Sequence, residues 1–134
     1  MEIQIKIIGW VLIGLGLGHM FFPRYFNWKT ELKSLSLINK QMMEVHTFFI
    51  AFVVILMGLL CLTSAFDLTG TSLGRKICLG FGVFWTFRFF FQLFVYSPKL
   101  WRGKRFETIV HVLFTIFWFY LSLVFLNAGL GQLF

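Results

Sequence analysis

Four long apolar stretches separated by short polar ones organise the chain. The first runs from about Ile5 to Phe22 and meets Pro23, which cannot continue a hydrogen-bonded helix without strain. The second runs from about Val45 to Ala65, and the Gly, Ser, Thr and charged residues of DLTGTSLGRK (Asp67 to Lys76) predict a turn after it. The third covers about Ile77 to Tyr96 and ends at Ser97-Pro98, and the fourth covers about Thr108 to Leu130 behind the basic loop SPKLWRGKRFE. Each stretch is long enough to cross a hydrocarbon core of about 30 Å as a helix. The expected fold is all-α: an integral membrane antiparallel four-helix bundle forming a single transmembrane domain over residues 1–134.

Between the first two spans, Trp28, Leu32, Leu35 and Ile38 recur at roughly helical spacing with Lys29, Lys33 and Lys40 among them. This predicts a short helix lying in the headgroup region as an interfacial anchor. Tyr96 and Trp101 fit an aromatic belt at the same boundary. No small-x-small cleavage site follows the first span, and GHMFFPRYF puts bulky residues where a signal peptidase wants small ones, so that span is expected to be retained.

Composition agrees with the pattern: 59% of the 134 residues are hydrophobic, 21% aromatic and only 13% charged. The formal charge of +7 is a topology signal and an attraction to anionic lipid headgroups. It gives no argument for nucleic acid, because the basic residues flank membrane spans instead of lining a soluble surface. Arg24, Lys29, Lys33 and Lys40 follow the first span, and Lys99, Arg102, Lys104 and Arg105 follow the third, whereas the other face holds Lys6, Arg75 and Lys76. Basic residues in short loops are retained inside. Both basic loops are therefore expected in the cytoplasm and both termini outside, across the inner membrane if the source is bacterial.

The ionisable residues within the apolar runs are the candidate chemistry. His19 lies four residues before Pro23, His46 six after Lys40 and His111 six after Arg105. At about 1.5 Å per residue each is roughly 6–9 Å inside the same boundary, on a different span. Three imidazoles at one level point to a transition metal ion, with Glu107, four residues before His111, as fourth ligand or as the group that orients the ring. The glycines Gly9, Gly14, Gly16, Gly18, Gly80 and Gly82 permit close helix approach and also leave room for a flat ring. That keeps haem b as the alternative, with two axial histidines and redox activity of an oxidoreductase type.

Arg88, in FWTFRFFFQLF, is a permanent charge near the middle of a span and has to face the interior. Trp85, Arg88 and Gln92 share one helix face and form the expected polar wall of a cofactor site. Arg88 is expected to meet Glu107, Glu44 or the carboxylate of a ligand, such as a haem propionate or a metabolite or lipid headgroup. The competing expectation is a non-catalytic membrane subunit or a lipid- or small-molecule-binding protein whose polar cluster is structural. Its partners are the lipid bilayer, a small amphipathic ligand or anionic headgroup, and a second copy of the chain or a larger membrane complex. Cys61 and Cys78, near the outer ends of their spans, are either a disulfide or two buried thiols, and they assemble no nucleophilic arrangement with any histidine. The layout is similar to that of small bacterial four-helix membrane proteins, a resemblance that implies architecture and no chemistry.

The charge asymmetry makes a direct prediction. A topology reporter fused after Phe134 is expected to be active only outside the cytoplasm; cytoplasmic activity would invert the orientation.

Overall fold

The computed structural model describes residues 1–131, and every regular element among them is helical. The order is α1 (Glu2–Gly18), a 3-10 turn (His19–Phe21), α2 (Phe22–Tyr25), α3 (Trp28–Glu31), a second 3-10 turn (Leu32–Ser34), α4 (Leu37–Thr63), α5 (Ala65–Gly70), α6 (Ser72–Phe94), a third 3-10 turn (Pro98–Leu100) and α7 (Arg105–Leu130). Four segments are long and apolar enough to cross a membrane: Glu2–Tyr25, Leu37–Thr63, Ser72–Phe94 and Arg105–Leu130. Their outward side chains include Trp10, Phe49, Phe87, Leu113 and Ile116, all exposed. A surface of this kind is stable in lipid and not in water. The chain divides into two compact units, Ile5–Ala65 and Met1–Gln4 with the chain from Phe66 onward.

In the unit Ile5–Ala65, close approach of α1 and α4 is made by small residues. A Cβ added at Gly9 would lie 2.8 Å from the Gly58 carbonyl oxygen, and one added at Gly58 would lie 2.7 Å from that of Gly9. Further along, a Cβ at Gly16 would come within 2.9 Å of the Ala51 carbonyl oxygen. Backbones this near gain dispersion contacts that larger side chains would prevent, the usual basis of helix association in lipid.

The helix ends differ from those expected. Pro23 does not stop the first helix at Phe22; the change comes four residues earlier, at His19. Pro23 has no N–H to offer the carbonyl four residues back, and that carbonyl belongs to His19. The Phe22 N–H takes it instead, tightening the chain into the 3-10 turn, and Pro23 sits within the single turn of α2. The short helix expected near Trp28 is present as α3 and the following 3-10 turn, with Trp28 and Leu32 buried. Leu35 turns to an extended conformation, and Ser36 caps a new helix by accepting from the Asn39 N–H at 3.4 Å. Ile38 thus belongs to α4, which begins at Leu37 and not near Val45. Hydropathy marked the apolar portion of that helix, and the cap marks its start.

In the other unit, the expected turn over Asp67–Lys76 is largely helical. Only Thr71 interrupts it, accepting from the Gly74 N–H at 2.9 Å and donating to the Asp67 carbonyl at 2.8 Å, so that α6 starts at Ser72. Gly82 lies against Leu126 and Gly129 against the backbone of Leu79, while Phe81 and Phe125 meet edge to face at 5.4 Å. Contact positions therefore advance along α6 as they retreat along α7. Gly131, with φ 66°, closes α7 in the left-handed conformation. Cys78 is buried, its thiol donating to the Leu68 carbonyl at 3.6 Å.

The glycine contacts separate positions that look alike in sequence. Gly9→Leu is expected to destabilise the protein in detergent by about 1–3 kcal/mol through overpacking. Gly14→Leu, which meets nothing within 4 Å, is expected to leave thermal unfolding unchanged or slightly raised. Equal effects at the two positions would contradict the packing.

Candidate functional site

Polar side chains inside a hydrocarbon layer have to find partners in the protein. Three of those on α6 and α7 do so locally. Thr86, Thr115 and Ser122 each turn back on a carbonyl one helical turn earlier, those of Gly82, His111 and Trp118, at 2.7, 2.7 and 2.8 Å. Arg88, Gln92 and His111 do not, and they form a chain of their own.

Arg88 Nη1 donates to Gln92 Oε1 at 3.2 Å, one turn along the same face of α6. Gln92 is buried, and its Nε2 donates to His111 Nδ1 on α7 at 3.0 Å. The direction of this chain follows from what each group can do. A guanidinium only donates, so the amide oxygen faces it and the amide nitrogen faces the ring. His111 Nδ1 must then carry a lone pair, which leaves the proton of the neutral ring on Nε2. Trp101 stacks on His111 with centroids 4.6 Å apart and planes at 16°. It is held there by Thr108, whose Oγ1 lies 2.6 Å from the carbonyls of both Trp101 and Lys104.

Deeper along the same two helices, Trp85 and Trp118 stack at 5.1 Å with planes 7° apart. The Arg88 guanidinium lies over Trp118, 4.8 Å from its centroid, and 5.4 Å from that of Tyr96. Two π faces and one amide oxygen are thus what its charge meets in this unit. Glu107, expected as its counter-ion, forms no hydrogen bond or ion pair among the described residues. It lies in the first turn of α7, where free N–H groups favour a carboxylate without any side-chain partner. Glu44, the other expected counter-ion, is on α4 in the unit Ile5–Ala65.

Donors consequently outnumber acceptors. Trp85 and Trp118 are 3% and 4% exposed, and neither indole N–H has a partner among the described residues. Among the described residues Arg88 uses one hydrogen bond of its five donors. The arrangement suits a ligand that brings acceptors, an oxyanion above all.

The remaining histidines belong to the unit Ile5–Ala65. His19 opens the 3-10 turn; its Nδ1 donates to the Leu15 carbonyl at 2.8 Å and its ring lies 4.6 Å from that of Phe22. That bond leaves the lone pair on Nε2. His46 is exposed on α4 and forms no hydrogen bond among the described residues. No group of three or more His, Cys, Asp or Glu side chains able to hold a metal ion occurs among the described residues. Of the side chains singled out from sequence, the structure joins Trp85, Arg88, Gln92 and His111. Trp118, Tyr96 and Trp101 were not foreseen as part of that cluster. Trp118 had a legible signal, since it lies seven residues after His111 and so on the same face of α7.

Gln92 links the two helices, which makes it the informative substitution. Gln92→Leu removes the one hydrogen-bond acceptor of Arg88 and the one donor to His111 Nδ1 among the described residues. It is expected to lower stability in detergent by about 1–3 kcal/mol. Nitrogen-15 NMR of the unaltered protein is expected to show His111 as the Nε2–H tautomer; an Nδ1–H signal would reverse the chain of donors.

The chain matches no known family, no curated protein and no solved structure, so its function has to be argued from the chemistry of these side chains.

Proposed function

We propose that this is a small polytopic membrane protein that binds the oxyanion end of an amphiphile through Arg88. The observation that carries this is a guanidinium that pairs with no carboxylate among the described residues and lies over the rings of Trp118 and Tyr96, in a cluster where the buried indole N–H groups of Trp85 and Trp118 have no acceptor among those residues. A carboxylate or similar oxyanion is complementary in charge and hydrogen bonding, and an apolar body suits the surrounding aromatic side chains. The spans are read as an antiparallel four-helix bundle with both basic loops cytoplasmic, in keeping with the charge asymmetry.

A transition metal ion or haem b is a second candidate, and one observation favours it. The Nδ1–H of His19 is held by a backbone carbonyl, the orientation that prepares Nε2 to ligate. Haem b would supply electron-transfer chemistry of an oxidoreductase type. His111 counts against a metal in its present state, because Gln92 takes the Nδ1 lone pair and the proton sits on Nε2.

Purification in mild detergent, followed by mass spectrometry of co-extracted small molecules, tests the proposal. The unaltered protein is expected to retain an oxyanionic amphiphile near one equivalent, and Arg88→Gln to weaken its retention about 10- to 100-fold. Equal retention by Arg88→Gln would overturn it. An absorption spectrum and elemental analysis of the same sample address the second candidate: a Soret band identifies haem, and stoichiometric metal without one identifies a bare ion.

A further inference from the structure

The unit Ile5–Ala65 carries a groove of about 480 Å³ where its two long helices leave the apolar layer. Its lining comes from three short pieces of chain: Arg24 from α2, Asn27, Trp28 and Lys29 from the turn into α3, and Lys40 and Glu44 from the start of α4. Asn27 is the device that brings them together. It has φ 55° and ψ 47°, the left-handed conformation, at the joint between α2 and α3. Arg24 and Lys29 then border one opening. Trp28, 9% exposed, forms its apolar base.

Cations outnumber acids in the lining of the groove. Three cations face one carboxylate, and although Lys40 and Glu44 are one helical turn apart they form no ion pair among the described residues. The Asn27 side chain makes no capping bond, so its amide is available to the groove. The groove also lies at a defined level, because the spans Glu2–Tyr25 and Leu37–Thr63 end and begin at its edge. An aromatic base with cationic walls at the boundary of an apolar layer has the chemistry of a phospholipid headgroup site.

We propose that this groove binds the phosphate headgroup of an anionic lipid, and that it prefers a phosphomonoester to a phosphodiester. Three cations less one carboxylate leave a formal charge near +2, which matches a phosphomonoester of about −1.5 to −2 near neutral pH and exceeds the single charge of a diester. The site does not involve Arg88 and stands independently of the function proposed for it.

Native mass spectrometry of the full chain, titrated separately with phosphatidic acid, phosphatidylglycerol, phosphatidylcholine and inorganic phosphate, provides the test. Phosphatidic acid is expected to bind tightest and phosphatidylcholine weakest. The triple variant R24Q/K29Q/K40Q is expected to bind phosphatidic acid about a hundredfold more weakly. The charge-matched variant K99Q/R102Q/K104Q, altered in the other basic loop, is expected to bind as the unaltered protein does. Equal losses in the two triple variants would reduce the effect to diffuse surface charge and overturn the site. Phosphatidylglycerol binding as tightly as phosphatidic acid would overturn the preference. Inorganic phosphate binding as tightly as phosphatidic acid would overturn the assignment to a lipid.

Discussion

A guanidinium in the middle of a membrane span has to be met from within the protein, because hydrocarbon supplies neither water nor a counter-ion. Around α6 and α7 the structure is arranged by that requirement. Arg88 cannot shed its charge, so Trp118 and Tyr96 present ring faces to it and Gln92 presents an amide oxygen. Once the Gln92 oxygen is committed, its nitrogen has to donate elsewhere, and His111 on the facing helix accepts. A single charge thereby sets the orientation of an amide, the tautomer of an imidazole and the level at which two helices meet.

Donors and lone pairs decide what such a cluster can recognise. A metal ion needs lone pairs, and His111 offers its Nδ1 lone pair to Gln92 and a proton on Nε2. An oxyanion needs donors, and Arg88, Trp85 and Trp118 supply them in excess of the acceptors they meet among the described residues. The three histidines, equivalent by residue type and depth, therefore differ in chemistry. His19 donates through Nδ1 to a carbonyl, His111 accepts through Nδ1 from an amide, and His46 is exposed.

The same economy of local geometry shapes the unit Ile5–Ala65. Pro23 withholds one N–H, the chain tightens at His19, and the imidazole falls where its own Nδ1 can reach the Leu15 carbonyl. A few residues later Asn27 takes a conformation unusual for a residue with a Cβ, and basic side chains from α2 and α3 meet at one groove. Gly9 and Gly58 meanwhile let α1 and α4 approach within backbone contact. Substitutions at these few positions would change the geometry of the whole unit, whereas Gly14 and Gly18, with open space around them, are indifferent.

Sequence alone determined that the chain is helical with four membrane-length segments, because hydropathy and length are local properties and a lipid layer admits few alternatives. It also placed Trp85, Arg88 and Gln92 on one face, since helical periodicity needs no partner. Helix ends were less legible: Ser36 and Thr71 start α4 and α6 well before the apolar runs begin, by hydrogen bonds that hydropathy does not register. Only the tertiary structure set Trp118 and Tyr96 against Arg88, joined Gln92 to His111 and left Glu107 without an ion pair among the described residues. Those outcomes depend on which side chains distant in sequence come within a few ångströms, and each residue along a helix turns about 100° from the last. Depth in the membrane can be counted from the sequence, but the facing partner, and with it the direction of every hydrogen bond, comes only from the packed helices.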